Sequence, residues 1–467
     1  MRPGVLEHSI AVPLSAETIF FALSAHNPDA DGMVWLDSGF GAHTGHSLIA
    51  FGERVPLDST APVVPQLRAA LAEVALPSSA AVQSPLGLIG WFGYELRDET
   101  MGMPVAHLPH HQRAAWLRVD RGVALNHATG TARLIALDVH GTGEWSRELD
   151  DWRQSMLELL ERAAAASAHH GVEVDAPVST ALAPVVWRDT DAQYAEMVRR
   201  CQAAIRDGEA YQLCLTTQAS VTSADGTPLD TVAIYRRLRR SSPAHYGALL
   251  RIGHTTLLSA SPETFLRIDN GIVQTRPIKG TRPRHADPQR DAALATELAA
   301  NDKEQAENLM IVDLMRNDLA RVCELGTVTV TGLLDIESYA HVHQLVSTVE
   351  GRLRAGLDAL DAVAACLPAG SMTGAPKRRA IELLAEFEAD PRGIYSGAFG
   401  YLGADGSADL AMVIRSIVIE GAHATIGAGG GVTALSEPSA EVAEMRLKAE
   451  ALVRAVAGKQ RQEHPVI

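Results

Sequence analysis

Two helical segments carry paired carboxylates whose spacing could hold a metal ion. Glu304 and Glu307 are three residues apart, so both side chains lie on one face of a helix. Glu441, Glu444 and Lys448 form a similar stripe on a second helix. Buried carboxylates need a counter-ion or a metal, and hard cations such as Mg²⁺ prefer oxygen ligands. The spacing therefore fits a Mg²⁺ site, but salt-bridged helix surfaces would have the same spacing.

An acid and a lysine lie on the two arms of a predicted β-hairpin. Glu263 precedes the turn signal Asp269–Gly271, and Lys279 follows it. We expect a three-residue loop, which pairs Glu263 with Pro277 and leaves Glu263 and Lys279 on one face of the sheet. A two-residue loop would put them on opposite faces. Burial beside cations could keep the lysine partly neutral and nucleophilic, whereas the plain alternative is an edge-strand lysine in a basic loop.

A glycine-rich run and an arginine offer contacts for an anion. The run Gly427–Gly431 includes Ala428, Gly429 and Gly430, and it predicts a turn whose backbone N–H groups could bind a carboxylate. A plain hairpin turn is the alternative. Arg415 lies in the apolar, strand-like run 411–419, where a guanidinium usually has a carboxylate to bind.

Two more polar residues are candidates with weaker signals. Thr373 precedes a predicted helix, whose first-turn N–H groups favour an anion, so Thr373 is expected to cap the helix or to contact a ligand. His343 has no orienting partner nearby in the sequence. A lone histidine of this kind is more often a satisfied core residue than a catalyst.

The composition limits the kind of protein that positions these residues. The chain has 467 residues, 46% of them hydrophobic, and a formal net charge of −15, which disfavours nucleic acid and anionic membranes as partners. Four widely spaced cysteines are typical of free thiols in a reducing compartment. No apolar run has the length of a membrane span or of a signal-peptide core. We therefore expect a cytoplasmic protein.

The order of elements predicts the fold class. A segment rich in Ala, Ser, His and Pro, from about Ala163 to Ala183, reads as a connector between an N-terminal region, residues 1–165, and a motif-dense region, residues 186–458. Long helices are predicted near residues 191–207, 289–316, 376–387 and 438–457. Strands and helices do not alternate strictly, so the sequence favours an α+β fold with largely antiparallel sheets over a doubly wound fold.

Several motifs, taken together, resemble the chorismate-utilising enzymes. They follow one another in order between about Asp189 and Ala457, and they are Tyr211–Leu215, Ser261–Glu263, Pro277–Pro283, Glu307–Asp318 and Gly374–Lys377. The resemblance implies a fold like that of anthranilate synthase component I, in which large antiparallel β-sheets form a sandwich flanked by helices. The motif Trp35–Gly39 is similar to the N-terminal region that helps bind tryptophan in relatives, which implies Ser38 as a tryptophan contact.

The resemblance also implies roles for the site residues. Mg²⁺, bound by Glu307 and Glu444 with Glu304 and Glu441 as direct or water-mediated partners, would bind the ring carboxylate of chorismate, and Lys448 would support this end. The glycine amides, Arg415 and Tyr395 would hold the enolpyruvyl carboxylate. Lys279 would attack C2 while Glu263 protonates the departing 4-hydroxyl, in a region lined by His343 and Thr373.

Two positions select the reaction within the family. Isochorismate and salicylate synthases have a water-activating lysine where this chain has Gln212, so ammonia is the expected nucleophile. Anthranilate synthases typically have alanine at the position of Lys279, whereas aminodeoxychorismate synthases have lysine. The expected product is 4-amino-4-deoxychorismate, which a separate lyase would convert to 4-aminobenzoate for folate synthesis. Thr264 departs from the arginine of many relatives.

The sequence also leads to an expectation about the source of ammonia and leaves two rival functions. No cysteine lies in a Gly-x-Cys-x-Gly context, so we expect a separate glutaminase subunit to supply ammonia. The closest rival is the anthranilate synthase reaction, which aminates C2 and expels pyruvate. A non-catalytic chorismate or tryptophan sensor is a rival from another class, but Glu263, Glu307 and Glu444 are all present.

Overall fold

The computed structural model describes residues 4–27, 30–76, 84–105, 111–140, 142–169, 181–339 and 341–458. Part of the predicted connector, residues 170–180, lies outside this described part. Within it the strands, in chain order, are β1 Gly4–Ser9, β2 Gly32–Asp37, β3 His46–Phe51, β4 Glu53–Arg54, β5 Gly87–Phe92, β6 Ala114–Val119, β7 Arg121–Asn126, β8 Thr131–Asp138, β9 Val186–Trp187, β10 Gln212–Thr222, β11 Tyr246–Ile252, β12 Thr255–Ser261, β13 Thr264–Asp269, β14 Ile272–Arg276, β15 Ile278–Pro283, β16 Thr329–Ser338, β17 Val342–Arg352, β18 Gly374–Ala375, β19 Ala398–Gly403, β20 Ala408–Met412, β21 Ser416–Glu420 and β22 His423–Val432.

The helices of the described residues are α1 Ala16–His26, α2 Val63–Ala72, α3 Arg97–Thr100, α4 Arg147–His169, α5 Asp191–Arg206, α6 Thr231–Ser241, α7 Pro288–Ala299, α8 Asp302–Ala320, α9 Ala359–Cys366, α10 Lys377–Phe387 and α11 Pro438–Ala457. Short 3-10 helices span Tyr94–Leu96 and Gly370–Met372. None of the helices described is both long enough and apolar enough to cross a membrane.

Two large antiparallel sheets form the framework. The larger sheet has the strand order β1-β8-β7-β3-β2-β11-β12-β21-β22-β10-β18, with β9 also paired to β10. The smaller sheet has the order β15-β17-β14-β13-β20-β19-β5-β6-β4, with β16 also paired to β17. The predicted α+β sandwich flanked by helices is therefore confirmed.

Alternating side chains divide the core into three layers. In β11, Ala248 and Leu250 face the smaller sheet and join the cluster between the two sheets, where Ile89 lies opposite. Leu249 points the other way, into the cluster that packs the larger sheet against helices. A third cluster, which includes Phe265, packs the smaller sheet against α2, α8 and α9. Complete burial of each such side chain contributes roughly 1.5–3 kcal/mol.

Both sequence regions contribute strands to both sheets. Strand β2 pairs with β11 in the larger sheet, and β5 pairs with β19 in the smaller one. The division into residues 1–165 and 186–458 remains a prediction about the sequence. In space the two regions share one framework.

The predicted helices near residues 191–207, 376–387 and 438–457 agree with α5, α10 and α11 within a residue or two. The single helix predicted over 289–316 is wrong, because the chain forms α7 and α8 with a break at Ala300 and Asn301. The Asn301 side chain accepts a hydrogen bond from the Glu304 backbone N–H, so it caps the start of a new helix.

Candidate functional site

The site lies where the chain passes from one sheet to the other. Between β12 and β13 it crosses at Pro262 and Glu263, and between β20 and β21 it crosses at residues 413–415. The two crossings lie side by side, because the Ala260 N–H donates to the Arg415 carbonyl at 3.1 Å and the Met412 N–H donates to the Glu263 carbonyl at 3.0 Å. Glu263 and Arg415 thus share one corner of the sandwich.

Arg415 does not lie inside a continuous strand. The apolar run 411–419 is divided between β20 and β21, which belong to different sheets, and Arg415 has a φ of +50° at the break. The left-handed backbone turns its side chain out of the sheet, where it is exposed. Its guanidinium donates a long hydrogen bond to the Lys448 carbonyl at 3.4 Å, which leaves most of its N–H groups available to a ligand.

The hairpin loop is shorter than expected. Asp269 pairs with Ile272, so the loop has two residues, Asn270 and Gly271, both with positive φ. The three-residue loop was therefore wrong, because Asn-Gly suits the two-residue turn that matches strand twist. A bulge between Thr264 and Arg267 then shifts the register by one residue, so that Thr264 pairs with Arg276. The bulge therefore brings this end of the hairpin back to the strand register that a three-residue loop would have produced.

Lys279 lies among acidic side chains. Its Nζ is 3.9 Å from Glu307 Oε2, and its side chain is 15% exposed. Burial raises the pKa of Glu263, while a hydrogen bond from Ser371 and the charge of Lys279 oppose that rise. The predicted approach of Glu263 and Lys279 is consistent with this electrostatic interaction. A buried acid with a raised pKa, close to an amine, is suited to acid catalysis next to a nucleophile.

Helices α8 and α11 bring three of the four predicted metal carboxylates, Glu307, Glu441 and Glu444, towards strand β22, whereas Glu304 lies against Gly280 of β15. Glu307 and Glu441 are buried, whereas the Glu304 side chain is 22% exposed and the Glu444 side chain is 49% exposed. Burial raises the pKa of Glu307, and its carboxylate neighbours add to the effect, although Lys279 opposes it. The prediction that these carboxylates lie on buried helix faces therefore holds for one residue of each pair, Glu307 and Glu441, and is wrong for Glu444.

Strand β22 is close to carboxylates of both pairs, and Lys448 contacts both this strand and Glu444. Lys448 Nζ lies 2.7 Å from Glu444 Oε1 and donates to the Gly429 carbonyl at 3.0 Å. A Cβ atom built on Gly430 would lie 3.1 Å from Glu441 and 3.9 Å from Glu444, and one built on Gly431 would lie 3.6 Å from Glu307. Carboxylates from both helices therefore crowd one short stretch of strand.

The glycine-rich run is a strand rather than a turn. Residues 427–431 lie within β22 and pair with β10 from Gln218 to Cys214. The predicted turn was wrong, because these glycines have a packing role instead. A Cβ on Gly427 would overlap the Tyr395 ring, and one on Gly431 would overlap the Gln212 amide. The missing Cβ atoms let site side chains lie directly on the strand.

Gln212 and Tyr395 form the wall over β22. Gln212 is 2% exposed, and its Oε1 has no hydrogen-bond partner among the described residues. A buried polar atom without a partner is costly unless a ligand or water binds it. Burial raises the pKa of the Tyr395 hydroxyl, which therefore stays a neutral donor.

Thr373 does not cap the following helix. Its hydroxyl donates to the Ala369 and Gly370 carbonyls at 3.1 and 3.3 Å, and α10 begins after Pro376 without a side-chain cap. Ser371, two residues earlier, provides the hydrogen bond to Glu263. Sequence reasoning missed this serine, and only its position inside a family motif could have indicated it.

His343 is held by partners on both sides. Its Nδ1 is 2.7 Å from Ser338 Oγ, and its Nε2 is 3.0 Å from Asp291 Oδ1. Asp291 also forms an ion pair with Arg284 at 2.8 Å. His343 pairs across the ladder with Arg282, not with Lys279. The sequence showed no orienting group because these partners come from α7 and β16.

A cavity lies between the sheets, beside strands of the N-terminal region. It has a volume of about 660 Å³, and Ser38, Tyr246, Thr264, Arg276 and Asp409 are part of its lining. The hydroxyl of Tyr246 contacts Thr264 and donates to Asp409, both at 2.9 Å. Burial raises the pKa of Asp409 to about 6. Thr264 therefore belongs to this cavity's wall, on the far side of the strand from the Glu263 contacts.

Within the described part of the chain, no three His, Cys, Asp or Glu side chains already converge as a ready-made metal cluster. Lysines instead neutralise the carboxylates, since Lys303 and Lys279 each lie 3.9 Å from Glu307. Two buried carboxylates with raised pKa values still fit a hard cation, which would offset their mutual repulsion.

Comparison with known proteins gives consistent results. The family described as chorismate binding enzyme matches residues 31–454. The aminodeoxychorismate synthase of Streptomyces pristinaespiralis is 43% identical over 396 residues, covering 84% of this chain and 53% of that protein. Anthranilate synthase component 1 of Streptomyces coelicolor is 38% identical over 411 residues, covering 86% and 79%. The crystal structure of anthranilate synthase component I from Streptococcus pneumoniae superposes with a TM-score of 0.70 at 26% identity, covering 97% and 92%.

The lengths of these relatives differ. This chain spans about half the length of the aminodeoxychorismate synthases that it matches, 53% and 50% in two Streptomyces proteins. It spans more of the anthranilate synthase components, 79% in Streptomyces coelicolor.

Proposed function

We propose that this chain, which belongs to the chorismate binding enzyme family, replaces the ring 4-hydroxyl of chorismate with ammonia to give 4-amino-4-deoxychorismate. The identity to relatives named aminodeoxychorismate synthase, 43% and 45%, supports amination at C4. A relative named anthranilate synthase component 1 is 38% identical over a similar share of the chain.

One observation carries the proposal: the primary amine of Lys279 lies inside the site, 3.9 Å from Glu307 and within electrostatic reach of the buried Glu263. A chain that bound chorismate only through its carboxylates would need no amine close to a buried acid. A nucleophile and an acid on one wall suit the substitution of a hydroxyl group.

The two ends of the substrate would be held by different groups. Glu307 and Glu444, with Glu304 and Glu441 beside them, would hold Mg²⁺, which when bound supplies Lewis-acid charge for the ring carboxylate. Lys448 would support this end. At the other end, Arg415 and Tyr395 would bind the enolpyruvyl carboxylate, with the backbone of Gly429 and Gly430 in β22 beside them, since Arg415 retains free donors.

The chemistry would proceed in two substitutions. The nitrogen lone pair of Lys279 forms a bond to C2 as the ring double bond shifts and the C4–O bond breaks, and Glu263 gives its proton to the departing hydroxyl, which leaves as water. Ammonia then bonds to C4, the double bond shifts back, and the C2–N bond breaks. A proton released by the added ammonia returns through Glu263, so that acid and amine are both restored.

Gln212 would select the nucleophile. Its buried Oε1 has no hydrogen-bond partner among the residues that the structure describes and can accept a hydrogen bond from an incoming N–H group, but an amide cannot remove a proton from water. Thr373 would line the same region through its backbone. His343 would support the wall through Ser338 and Asp291, since both its ring nitrogens are occupied.

Product analysis tests the proposal. The pure chain is incubated with chorismate, Mg²⁺ and ammonium at mildly alkaline pH, and products are identified by mass and absorbance. We expect 4-amino-4-deoxychorismate without pyruvate. Anthranilate with pyruvate would assign the chain to C2 amination, and bound chorismate without any product would indicate a sensor.

We further propose that ammonia comes from a separate glutaminase subunit. The four cysteines are all buried free thiols, and none has the sequence context of a glutaminase nucleophile. With ammonium absent, the pure chain should be inactive with glutamine and should become active when a glutaminase partner is added. Full turnover from glutamine by this chain alone would contradict the proposal.

The cavity beside Ser38 supports a second binding role. Its volume of about 660 Å³ is large enough for an aromatic amino acid, and buried Asp409 could receive an ammonium group. We propose tryptophan as its ligand. Calorimetric titration with tryptophan and with phenylalanine tests this assignment, and no heat from tryptophan would refute it.

A further inference from the structure

Arg392 lies at the junction of three segments of the site. It is 4% exposed, and every N–H of its guanidinium has an acceptor. Nε and one η nitrogen donate to the two oxygens of Glu388 at 2.9 and 2.7 Å. The remaining donors reach the Met372 carbonyl at 2.6 Å, the Cys214 carbonyl at 2.8 Å and Ser396 Oγ at 3.4 Å. One rigid fork therefore connects segments far apart in the sequence.

Each of these three partners is a close chain neighbour of a residue in the proposed site: Ser371, Gln212 and Tyr395, respectively. The segments also contact one another, because the Cys214 N–H donates to the Thr373 carbonyl at 2.7 Å. Arg392 is thus linked, through its hydrogen-bond partners, to the segments that carry Ser371, Gln212 and Tyr395.

The arginine is itself held firmly. Its guanidinium lies 4.4 Å from the centre of the Tyr94 ring. Its backbone N–H and that of Gly393 donate to the two oxygens of Glu95 at 2.8 and 2.9 Å. Glu388 also accepts hydrogen bonds from Thr216, a residue of β10. Arg392 and Glu388 thus have more partners than a single buried ion pair requires, which indicates a positioning role.

We propose that Arg392 is a positioning residue for the amination, holding the Ser371 segment, the Gln212 strand and Tyr395 in one arrangement. The inference rests on the proposed function. A lysine at this position would keep the charge and lose the planar fork, so it could not hold two carbonyls, a hydroxyl and a carboxylate together. The metal carboxylates and Lys448 lie on α8 and α11, which are not among the segments that Arg392 holds.

The test compares Arg392→Lys with Arg239→Lys in the full chain. Arg239 is a matched control, since it is buried, pairs with Asp37 at 2.7 Å and lies 4.8 Å from the Trp35 ring. Both variants should melt at lower temperature. Per folded molecule, we expect Arg392→Lys to lower kcat by about tenfold or more with less than about a threefold rise in KM for chorismate, since small misplacements of catalytic groups cost that much. Arg239→Lys should keep both constants.

If Arg392→Lys retains wild-type kcat and KM per folded molecule, Arg392 is only structural and the inference fails. Should that variant not fold, Glu388→Gln replaces it, since the amide keeps an acceptor for the arginine and for Thr216. The inference then requires a fall in kcat, and an unchanged kcat overturns it. A wild-type chain that makes another product would refute the proposed function, while kcat for that product would still decide the role of Arg392.

Discussion

Two buried polar clusters in this molecule differ in how fully the protein satisfies them. The Asp37 cluster comprises Asp37, Ser47, Tyr235 and Arg239. Asp37 has a side chain with 0% exposure and accepts hydrogen bonds from Ser47 and Tyr235, both at 3.2 Å, and from Arg239 at 2.7 and 3.3 Å. This cluster needs no ligand to complete it.

The acid–lysine site, made of Gln212, Glu263, Lys279, Glu307 and Arg415, is left incomplete. Gln212 Oε1 has no partner in the described part of the chain, Lys279 and Glu307 remain 3.9 Å apart, and Arg415 donates one long hydrogen bond. Saturated polar groups stabilise a fold, whereas unsaturated ones retain interaction energy for a ligand. The two clusters should therefore respond in opposite ways to substitution.

The largest expected effect is on activity. Lys279→Ala removes the proposed nucleophile and should lower amination at C4 on the order of 10³-fold or more. Its melting temperature should change little, because Lys303 remains 3.9 Å from Glu307 to neutralise it. Product assays and thermal melting on the same preparation measure both. Unchanged 4-amino-4-deoxychorismate production would remove the covalent step.

Substitution of the acid should give the next effect, with a pH signature. Glu263→Gln should slow turnover by roughly 10²–10⁴-fold, the usual contribution of a positioned acid. Burial raises the pKa of Glu263, so the wild-type acid stays protonated above its ordinary range and kcat should fall as pH rises through that raised value.

The variant should lose this alkaline fall, because glutamine does not titrate in that range. Measurement of kcat against pH for both proteins checks the assignment. An identical alkaline fall in the variant would mean that another group causes it.

The Asp37 cluster should show the reverse pattern. Arg239→Met leaves the Asp37 carboxylate buried without its cation and should lower the free energy of unfolding by about 3 kcal/mol. We expect kcat per folded molecule to be kept, since none of the four residues of the cluster belongs to the acid–lysine site. Urea titration and steady-state assays test the pair of expectations. A loss of kcat per folded molecule would contradict the proposed difference between the two clusters.

The smallest effect is expected from substitution of Ser38, which follows Asp37 in the chain and lines the cavity. Its hydroxyl donates to the His46 carbonyl at 2.8 Å, so part of its hydrogen-bonding capacity is already used. Ser38→Ala should weaken tryptophan binding by roughly 1 kcal/mol, about fivefold in Kd. Calorimetry of the variant and the wild type measures the change. Equal affinities would remove Ser38 from the proposed binding site.

Local signals predicted the helices well. Helix α11 begins at Pro438 and ends before Gly458, which has a φ of +66°, in agreement with the residue types at those positions. The stripe of Glu441 and Lys448 follows from helical spacing alone. In contrast, the break between α7 and α8 depends on an asparagine cap that the apolar pattern concealed.

The same sequence could not predict features that depend on distant neighbours. The hairpin register follows from a bulge at Thr264–Arg267, and the glycines of β22 are needed because Tyr395 and Gln212 pack on that strand. Neither cause lies within the local segment. Residues brought together by sheet pairing impose both.

The sequence by itself determined which chemistry was available: two carboxylate pairs on helices, an acid and a lysine near one turn, and motifs of a family that binds chorismate. Only the tertiary structure decided which of these groups meet and which remain unsatisfied. The crossings at Glu263 and Arg415 create the corner, His343 is occupied by Asp291, and Ser371 reaches the acid. The physical reason is that side-chain type is local, whereas burial and hydrogen-bond partners arise from contacts between distant parts of the chain.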